Sequence, residues 1–130
     1  PVKKAAKARR IQPVTVLLVK SEAGWLLQRR PDSGLLAGLW QPALFEESLP
    51  WAEAAARLEA LGIPVRQGSA LKPAKHIFSH IEWRMNGWQA EADACPLPPG
   101  YVWADRAALT QQYTLPGAFK AYRPLLEETV

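Results

Sequence analysis

Apolar residues near the start of the chain follow the pattern of β-strands. The segment 13–20 (PVTVLLVK) is β-branched and almost continuously apolar, which predicts a buried strand. A turn at 21–24 leads into GWLLQRR at 24–30, and the two apolar segments together predict a β-hairpin.

The segment 31–42 (PDSGLLAGLWQP) interrupts this pattern. Its two glycines and two prolines predict an irregular loop, and we expect a strand to resume near Phe45. The loop is nevertheless rich in large apolar residues, namely Leu35, Leu36, Leu39 and Trp40. A segment of this composition is expected to pack on the domain or to be covered by a partner.

Residues 51–61 have the period of an amphipathic helix. One predicted face is apolar and consists of Trp51, Ala54, Ala55, Leu58 and Leu61. Ser48 and Pro50 predict the helix start, with the serine as the capping residue. Glu53 and Arg57 form an i,i+4 pair, and Gly62 is expected to end the helix.

The region from Ala70 to Ala94 is rich in strand-forming residues. Asn86-Gly87 is a two-residue hairpin signal, so we predict that residues 77–85 pair with residues 88–94.

The last thirty residues predict short elements. Residues 101–103 are strand-like, and Asp105 is expected to cap a short helix at 106–109. A terminal helix is predicted from Pro116 to Leu126, kinked or restarted by Pro124.

Strands and helices interleave without regular βαβ units, which predicts an α+β sandwich on a mixed β-sheet. A chain of 130 residues is expected to form one domain. We assign residues 13–130 to it and residues 1–12 to a basic interdomain linker.

The net charge of +4 is concentrated at the N-terminus. Five of the 16 cationic residues lie in the first ten positions and all 12 acidic residues follow, so residues 11–130 carry 11 cations against 12 anions, a net charge of −1. The basic segment can attract phosphate, or it can be only a solvated linker. The balance predicts weak DNA binding by the folded part alone.

Composition narrows the functional classes. Cys95, the only cysteine, excludes an internal disulfide and is expected to be an inert structural residue in a reducing cytoplasmic setting. No apolar run reaches the roughly 18 residues of a membrane span, and the N-terminus lacks the apolar region of a signal peptide.

The segment 76–80 (HIFSH) holds both histidines and is the stretch richest in chemistry. In a strand, His76 and His80 would lie roughly 13 Å apart, too far to share a metal without a sharp turn. A Ser–His hydrolase is also disfavoured, because Ser79 and His80 are adjacent and no nucleophile elbow surrounds them.

Two interpretations of Phe78 and Ser79 stay open on the residues alone. In the first, Phe78 stacks on or wedges against a base, and the Ser79 hydroxyl distinguishes a protonated ring nitrogen from an unprotonated one. In the second, Phe78 belongs to the core and Ser79 is only a turn residue.

Residues 38–63 (GLWQPALFEESLPWAEAAARLEALGI) resemble a degenerate Nudix box. In that box several glutamates hold magnesium on a diphosphate. Aligned on Gly62, the helix keeps only Glu59, because Ala55, Ala56 and Ala60 replace the other key residues. The resemblance therefore implies a Nudix-like α/β/α sandwich without the metal cluster.

Three stretches resemble the C-terminal domain of MutY-type adenine DNA glycosylases. Arg30-Pro31 with 34–42 (GLLAGLWQP) is similar to the RP…GLLAGLWEFP signature of that family. HIFSH at 76–80 matches its H-x-F-[ST]-H motif, and Trp103 with 115–118 (LPGA) is similar to its later W…LP.A segment. The departures are Gln41 and Ala43, where the family usually has Glu and Pro around its Phe.

This resemblance implies recognition of 8-oxoguanine opposite adenine in base excision repair. Ser79 would contact the N7–H and O8 edge of the lesion, Phe78 would anchor or wedge the loop, and His80 would orient it or contact the backbone. Further candidates for contacts with the DNA backbone are the basic residues Arg29, Arg30, Lys72, Lys75, His76 and Arg84.

The resemblance also implies the wider context. The chain itself would carry no catalytic residue, metal or cofactor. An N-terminal domain with a 4Fe-4S cluster would excise the adenine, and double-stranded DNA and that domain would be the partners. We expect a monomeric, cytoplasmic, nucleoid-associated protein of bacterial type without membrane contact.

Two alternative functions remain open. The chain could be a Nudix-type nucleoside diphosphate hydrolase, which the three alanines oppose. It could also be a protein-interaction module that uses the Leu35–Trp40 surface.

Overall fold

The structure, a computed structural model, describes residues 9–128. In chain order the elements are β1 (Arg10–Ser21), β2 (Gly24–Arg29), β3 (Trp40–Phe45), α1 (Trp51–Ala60), β4 (Arg66–Ala70), β5 (Ala74–Ile77), β6 (Ile81–Glu91), β7 (Tyr101–Ala104), α2 (Arg106–Gln111), the 3₁₀ helix η1 (Gly117–Tyr122) and α3 (Arg123–Leu126).

The seven strands form one mixed sheet, which confirms the predicted fold class. Its order is β4-β6-β1-β3-β2-β7, and β5 pairs with β6 on the same side as β4. The β1–β6 pair is parallel over 11 residue pairs, and the other pairings are antiparallel. A long parallel pair in the middle of the sheet is typical of a sheet covered on both faces.

Strand β1 supplies both cores. Val14, Val16 and Leu18 face the cluster formed with η1 and α3, whereas Leu17 and Val19 face the cluster formed with α1. Because both faces are buried, the strand reads as a continuous apolar run without alternation, and this is why the sequence predicted it well. Its start lies at Arg10, not at Pro13, because residues 10–12 pair with residues 81–83. Most of the predicted linker 1–12 lies outside the described residues.

The predicted hairpin at Asn86-Gly87 is wrong. Residues 81–91 form one continuous strand, β6, that runs through this dipeptide. A Cβ atom on Gly87 would lie 2.5 Å from the carbonyl oxygen of Val16, so the glycine permits close approach of β1 and does not mark a turn.

The loop prediction for residues 31–42 was wrong at its end, since Trp40–Phe45 form the central strand β3. The hairpin of β1 and β2 is correct but pairs only at two positions, after which β3 separates the two strands. Pro42 is tolerated because β3 changes partner beside it: residues 40–42 pair with β2 and residues 43–45 with β1. The Gln28 side chain bridges the gap by accepting the N–H of Leu44 at 3.2 Å.

Helix α1 matches its prediction except at the cap. Pro50, not Ser48, is the N-cap, and it provides no side-chain hydrogen bond. The preceding turn is fixed by Thr15, whose Oγ1 donates to Glu47 O (2.6 Å) and accepts the N–H of Leu49 (2.8 Å). Gly62 ends the helix with a positive φ of 84°.

The C-terminal elements follow the predictions. Asp105 Oδ1 caps α2 by accepting the N–H of Ala108 at 2.8 Å. The terminal segment is a 3₁₀ helix that restarts as α3 with Pro124 in its first turn. None of the helices in residues 9–128 combines the length and the apolar character needed to span a bilayer.

Candidate functional site: the turn between β5 and β6

Residues 78–81 form the tight turn of a β-hairpin. The N–H of Phe78 donates to the carbonyl oxygen of Ile81 at 2.7 Å, and this leaves Ser79 and His80 at the tip. The predicted strand through this segment is therefore interrupted by a turn. We call residues 78–81 the β5–β6 turn.

Phe78 anchors the turn on the core. Its ring meets Trp83 edge to face with centroids 5.0 Å apart, and His76 packs edge to face on Phe78 at 4.7 Å. Trp83 is fully buried, and Phe78 and His76 are half-buried. Both interpretations of Phe78 thus hold in part, because one edge of the ring packs on the core while part of the ring stays accessible.

The polar groups at the tip face solvent. Ser79 and His80 are exposed, and among residues 9–128 the Ser79 hydroxyl makes no hydrogen bond. The main chain beneath is tied to the sheet, since the N–H of Arg10 donates to His80 O at 3.0 Å. The turn therefore presents a free hydroxyl on a fixed backbone.

Two of the predicted cationic residues lie near the turn, and a third lies at the open end of the hairpin. Lys75 and Arg84 are cross-strand partners on β5 and β6, so their side chains share a face of the hairpin, and Lys72 is exposed just before β5. His76 pairs with Trp83 and lies on the opposite face. Lys75 and Arg84 are therefore placed to meet a polyanion that approaches from the solvent side.

Arg30 is placed differently from the prediction. It is only 7% exposed, its Nε donates to Leu35 O at 3.1 Å, and its guanidinium lies 5.2 Å from the centroid of the Trp83 ring. Buried in this way it cannot reach a phosphate, so we remove it from the DNA-facing set. Arg29 is half-exposed and bonded to Asp32 at 2.8 Å.

Glu82 lies among the cations of the turn and was missed by the sequence reasoning. It accepts the Nε–H of Arg84 at 2.8 Å and lies 3.8 Å from Arg9. The hydrogen bond from Arg84 is the main reason that the pKa of Glu82 is lowered, and the charges of Arg84, Lys75 and Arg9 add to it against the effect of burial. Trp83 was also missed. A hairpin centred on Ser79-His80 would have paired it with His76, but the Asn86-Gly87 signal drew attention away.

The argument from spacing against a metal on the two histidines assumed an extended strand, which the turn replaces. The His76 ring is engaged with Phe78 at 4.7 Å. Within residues 9–128, no three His, Cys, Asp or Glu side chains are grouped so as to hold a metal ion.

The helix that would carry a Nudix metal cluster does not fit magnesium. Glu59 lies near the end of α1, with alanines at positions 55, 56 and 60. Two other acidic residues near this helix, Glu47 and Glu53, are both paired with Arg57. The hydrogen bond from Arg57 is the main cause of the lowered pKa of Glu47. These carboxylates neutralise an arginine instead of leaving oxygens open to a cation.

Comparisons with known proteins place the chain in a family. The NUDIX domain family model matches residues 14–124. Adenine DNA glycosylase of Mus musculus is 37% identical over 87 residues, which are 60% of this chain but only 17% of that protein. The match therefore spans less than a fifth of that relative.

Solved structures share the fold. The C-terminal domain of mouse MUTYH, solved in complex with human PCNA, is 24% identical with a TM-score of 0.60, covering 92% of this chain and 94% of that one. A MutT protein from Methanosarcina mazei Go1 is 19% identical with a TM-score of 0.69, covering 95% and 96%. A MutT NUDIX hydrolase from Burkholderia pseudomallei is 20% identical with a TM-score of 0.65, covering 94% and 100%. Together with the curated relative, these matches confirm the predicted Nudix-like fold and the resemblance to the MutY-type C-terminal domain.

Proposed function

Because the chain belongs to the NUDIX domain family but its α1 does not fit a magnesium cluster, we propose that it recognises an oxidised base and does not hydrolyse nucleotides. Its ligand is double-stranded DNA that contains 8-oxoguanine opposite adenine. The chain acts as the lesion-reading domain of an adenine DNA glycosylase, in base excision repair.

The observation that carries this proposal is the β5–β6 turn. Its tip offers the hydroxyl of Ser79, which is exposed and free of protein partners among residues 9–128, on a backbone fixed by Arg10 and Ile81. 8-Oxoguanine differs from guanine by an N7–H donor and an O8 acceptor, and a hydroxyl can accept from the first and donate to the second. A fixed hydroxyl at a protruding tip suits this readout.

The neighbours of Ser79 supply position and affinity. Phe78 holds the tip against Trp83 and presents its accessible edge as a wedge between bases. Lys72, Lys75 and Arg84 contact phosphates on the side of the hairpin that faces away from the core, and His80 contacts the backbone beside the lesion or orients the tip. His76, which packs on Phe78, supports the wedge and is not a direct phosphate ligand.

The excision chemistry belongs elsewhere in this proposal. We infer that a separate catalytic domain with a 4Fe-4S cluster removes the adenine, and that the N-terminal basic residues connect that domain to this one. The protein then works on the nucleoid in the cytoplasm, as a monomer on DNA.

The test compares duplexes that differ at one base, where 8-oxoguanine carries the O8 acceptor and the N7–H donor that guanine lacks. The chain is titrated into labelled DNA carrying 8-oxoguanine or guanine opposite adenine, at low salt because the folded part has little net charge. We expect the unaltered chain to prefer the oxidised duplex and Ser79→Ala to lose about tenfold of that preference, the value of one hydrogen bond to a base edge. Ser48→Ala, which removes another exposed hydroxyl that makes no hydrogen bond among residues 9–128, is the matched control.

Two outcomes would overturn the proposal. Equal preference in the unaltered chain and in Ser79→Ala would remove the assigned role of the hydroxyl. Magnesium-dependent release of phosphate from an oxidised nucleoside triphosphate would identify the chain as a hydrolase instead.

A further inference from the structure

Arg30 sits where three parts of the domain meet. It follows β2, it directly precedes the apolar loop 31–39, and its guanidinium packs on Trp83 of β6. Trp83 in turn supports Phe78 of the β5–β6 turn. A continuous path of contacts therefore joins the apolar loop to the turn through one arginine and one tryptophan.

The loop depends on Arg30 for its shape. The Arg30 N–H donates to Leu39 O at 2.8 Å and its Nε donates to Leu35 O at 3.1 Å, so one residue holds two points of the loop. Leu36 within it has a φ of 52°, a left-handed conformation that leucine rarely adopts. A loop with this conformation needs support from outside, and Arg30 supplies it.

Trp83 helps to stabilise the buried positive charge of Arg30. Arg30 is only 7% exposed, so its charge is largely removed from water and must be compensated. Glu46 lies at the edge of ion-pair distance, 4.0 Å, and is half-exposed. The face of the Trp83 ring, with its centroid 5.2 Å from the guanidinium carbon, completes the environment through a cation–π contact.

Trp83 is held from several directions but leaves one group unused. Phe119 packs on it with centroids 6.0 Å apart, and Phe78 meets it at 5.0 Å. Its indole Nε1–H is buried without a hydrogen-bond partner among residues 9–128. No hydrogen bond fixes the rotation of the indole, so its orientation depends on the rings around it and on the arginine above it.

We propose that Arg30 is a positioning residue, which sets the orientation of Trp83 and thereby the place of Phe78 and the β5–β6 turn. Movement of the apolar loop is transmitted to the turn through the guanidinium, and so is contact of that loop with another domain. The consequence for lesion reading rests on the proposed function, whereas the mechanical coupling does not.

Lysine in place of Arg30 tests the geometry and keeps the charge. An ammonium group cannot stack flat on the indole while also donating to Leu35 O, because it lacks the planar fork of donors. Arg29→Lys is the matched control, since Arg29 is the adjacent residue, is half-exposed and contacts Asp32 instead of the indole.

The first readout is hydrogen exchange measured by NMR. The Phe78 amide, bonded to Ile81 O, reports closure of the turn. The amides of Leu17 and Leu18, in the part of β1 that pairs with Trp88 and Gln89 of β6, report the sheet. In Arg30→Lys we expect the Phe78 amide hydrogen to exchange about tenfold faster, while the exchange rates of the β1 amides stay unchanged. The Trp83 indole resonance should also shift. Arg29→Lys should do neither. Unchanged exchange at Phe78 in a folded Arg30→Lys would overturn the proposal.

A second measurement covers a variant that fails to fold. In the unaltered chain, the Nε–H resonance of Arg30 should be shifted by the ring current of Trp83 and protected from exchange. A resonance at its ordinary position, exchanging freely, would contradict the contact itself.

The last readout separates this proposal from the lesion-reading function. If the unaltered chain prefers 8-oxoguanine, folded Arg30→Lys should weaken binding to both duplexes several-fold, because the effect of Arg30 passes through Phe78, which acts as a wedge on any base step. If the unaltered chain shows no preference, the proposed function fails while the exchange result still decides the coupling. Faster exchange at Phe78 with unchanged affinity for both duplexes in Arg30→Lys would contradict the link from Arg30 to DNA binding.

Discussion

Arg84 donates its Nε–H to Glu82, two residues earlier on the same strand, at 2.8 Å. The pair lies at the base of the β5–β6 turn, with Arg9 3.8 Å from the same carboxylate. Glu82 thus competes with phosphate for Arg84 and Arg9. It offsets one of the cationic charges around the turn.

We predict that Glu82→Gln strengthens DNA binding without changing lesion preference. Releasing Arg84 and Arg9 adds about one phosphate contact, so the logarithmic salt dependence of binding should steepen by about one and affinity at low salt should rise several-fold. Both duplexes gain equally, because phosphate contacts carry no base information. Fluorescence anisotropy over a salt series measures this.

Glu91→Gln is the control for Glu82→Gln. It removes the same charge from the same strand, but about nine residues away, roughly 30 Å along β6. An equal gain in both variants would show that only net charge matters and that the pair at the turn has no special role.

Gly87 makes a second prediction possible. A methyl group there would meet Val16 O at 2.5 Å and the Leu71 side chain at 3.0 Å, so β1 and β6 would have to separate. We expect Gly87→Ala to lower the free energy of unfolding by about 2–3 kcal/mol in urea titrations. Gly117→Ala, where nothing lies within 4 Å, should stay within about 0.5 kcal/mol. A neutral Gly87→Ala would contradict the close approach of β1 and β6 at this position.

Gly87 also shows where prediction from the sequence ended. Local chemistry predicted β1, α1, the Asp105 cap and the break at Pro124, because those features depend on neighbours in the chain. Strand β6 continues through Asn86-Gly87 because it pairs in parallel with β1, some seventy residues earlier. The local turn propensity of the dipeptide contains no information about that distant partner.

The candidate site was predicted in the same uneven way. The motif around Ser79 was found from the sequence, but the burial of Arg30 was not, since an arginine after a strand usually faces solvent. What buries it is the return of the apolar loop over its side chain and the indole of Trp83 beneath. The contact with Trp83 joins residues distant in the chain, and the contact with Leu35 requires an irregular conformation of residues 31–39 that the sequence pattern does not specify.

Substitutions of Phe78 and Ser79 should affect DNA binding in different ways. Phe78→Leu keeps apolar volume but loses the edge-to-face contact with Trp83, a contact worth about 0.5–1.5 kcal/mol. We expect it to weaken binding to the oxidised and normal duplexes alike, by several-fold, because a wedge acts on any base step. Ser79→Ala should change only the ratio between them. Parallel titrations of both variants decide this, and loss of discrimination in Phe78→Leu with unchanged overall affinity would contradict the division of roles.

Tyr122 predicts a response at alkaline pH. Its hydroxyl is buried without a hydrogen-bond partner among residues 9–128, and burial raises its pKa to about 12 from 10. Below pH 10 the ring is neutral in both states, so its contribution to stability is complete. As pH rises from 10 towards 12, the unfolded chain ionises first, and up to about 2–3 kcal/mol is lost.

Tyr122→Phe removes both the ionisation and the orphaned hydroxyl. At pH 7 we expect it to be neutral or to stabilise by up to about 1 kcal/mol, since no hydrogen bond is lost and a buried polar group is removed. Above pH 10 the advantage of the variant should grow, because only the wild-type chain has a hydroxyl at this position to ionise on unfolding. Urea titrations of both proteins at pH 7 and pH 11 measure the difference, which cancels the contribution of Tyr101, whose pKa burial also raises. A variant less stable than wild type at pH 7 would mean that the hydroxyl has a bonded partner, and a constant difference between the two pH values would refute the raised pKa.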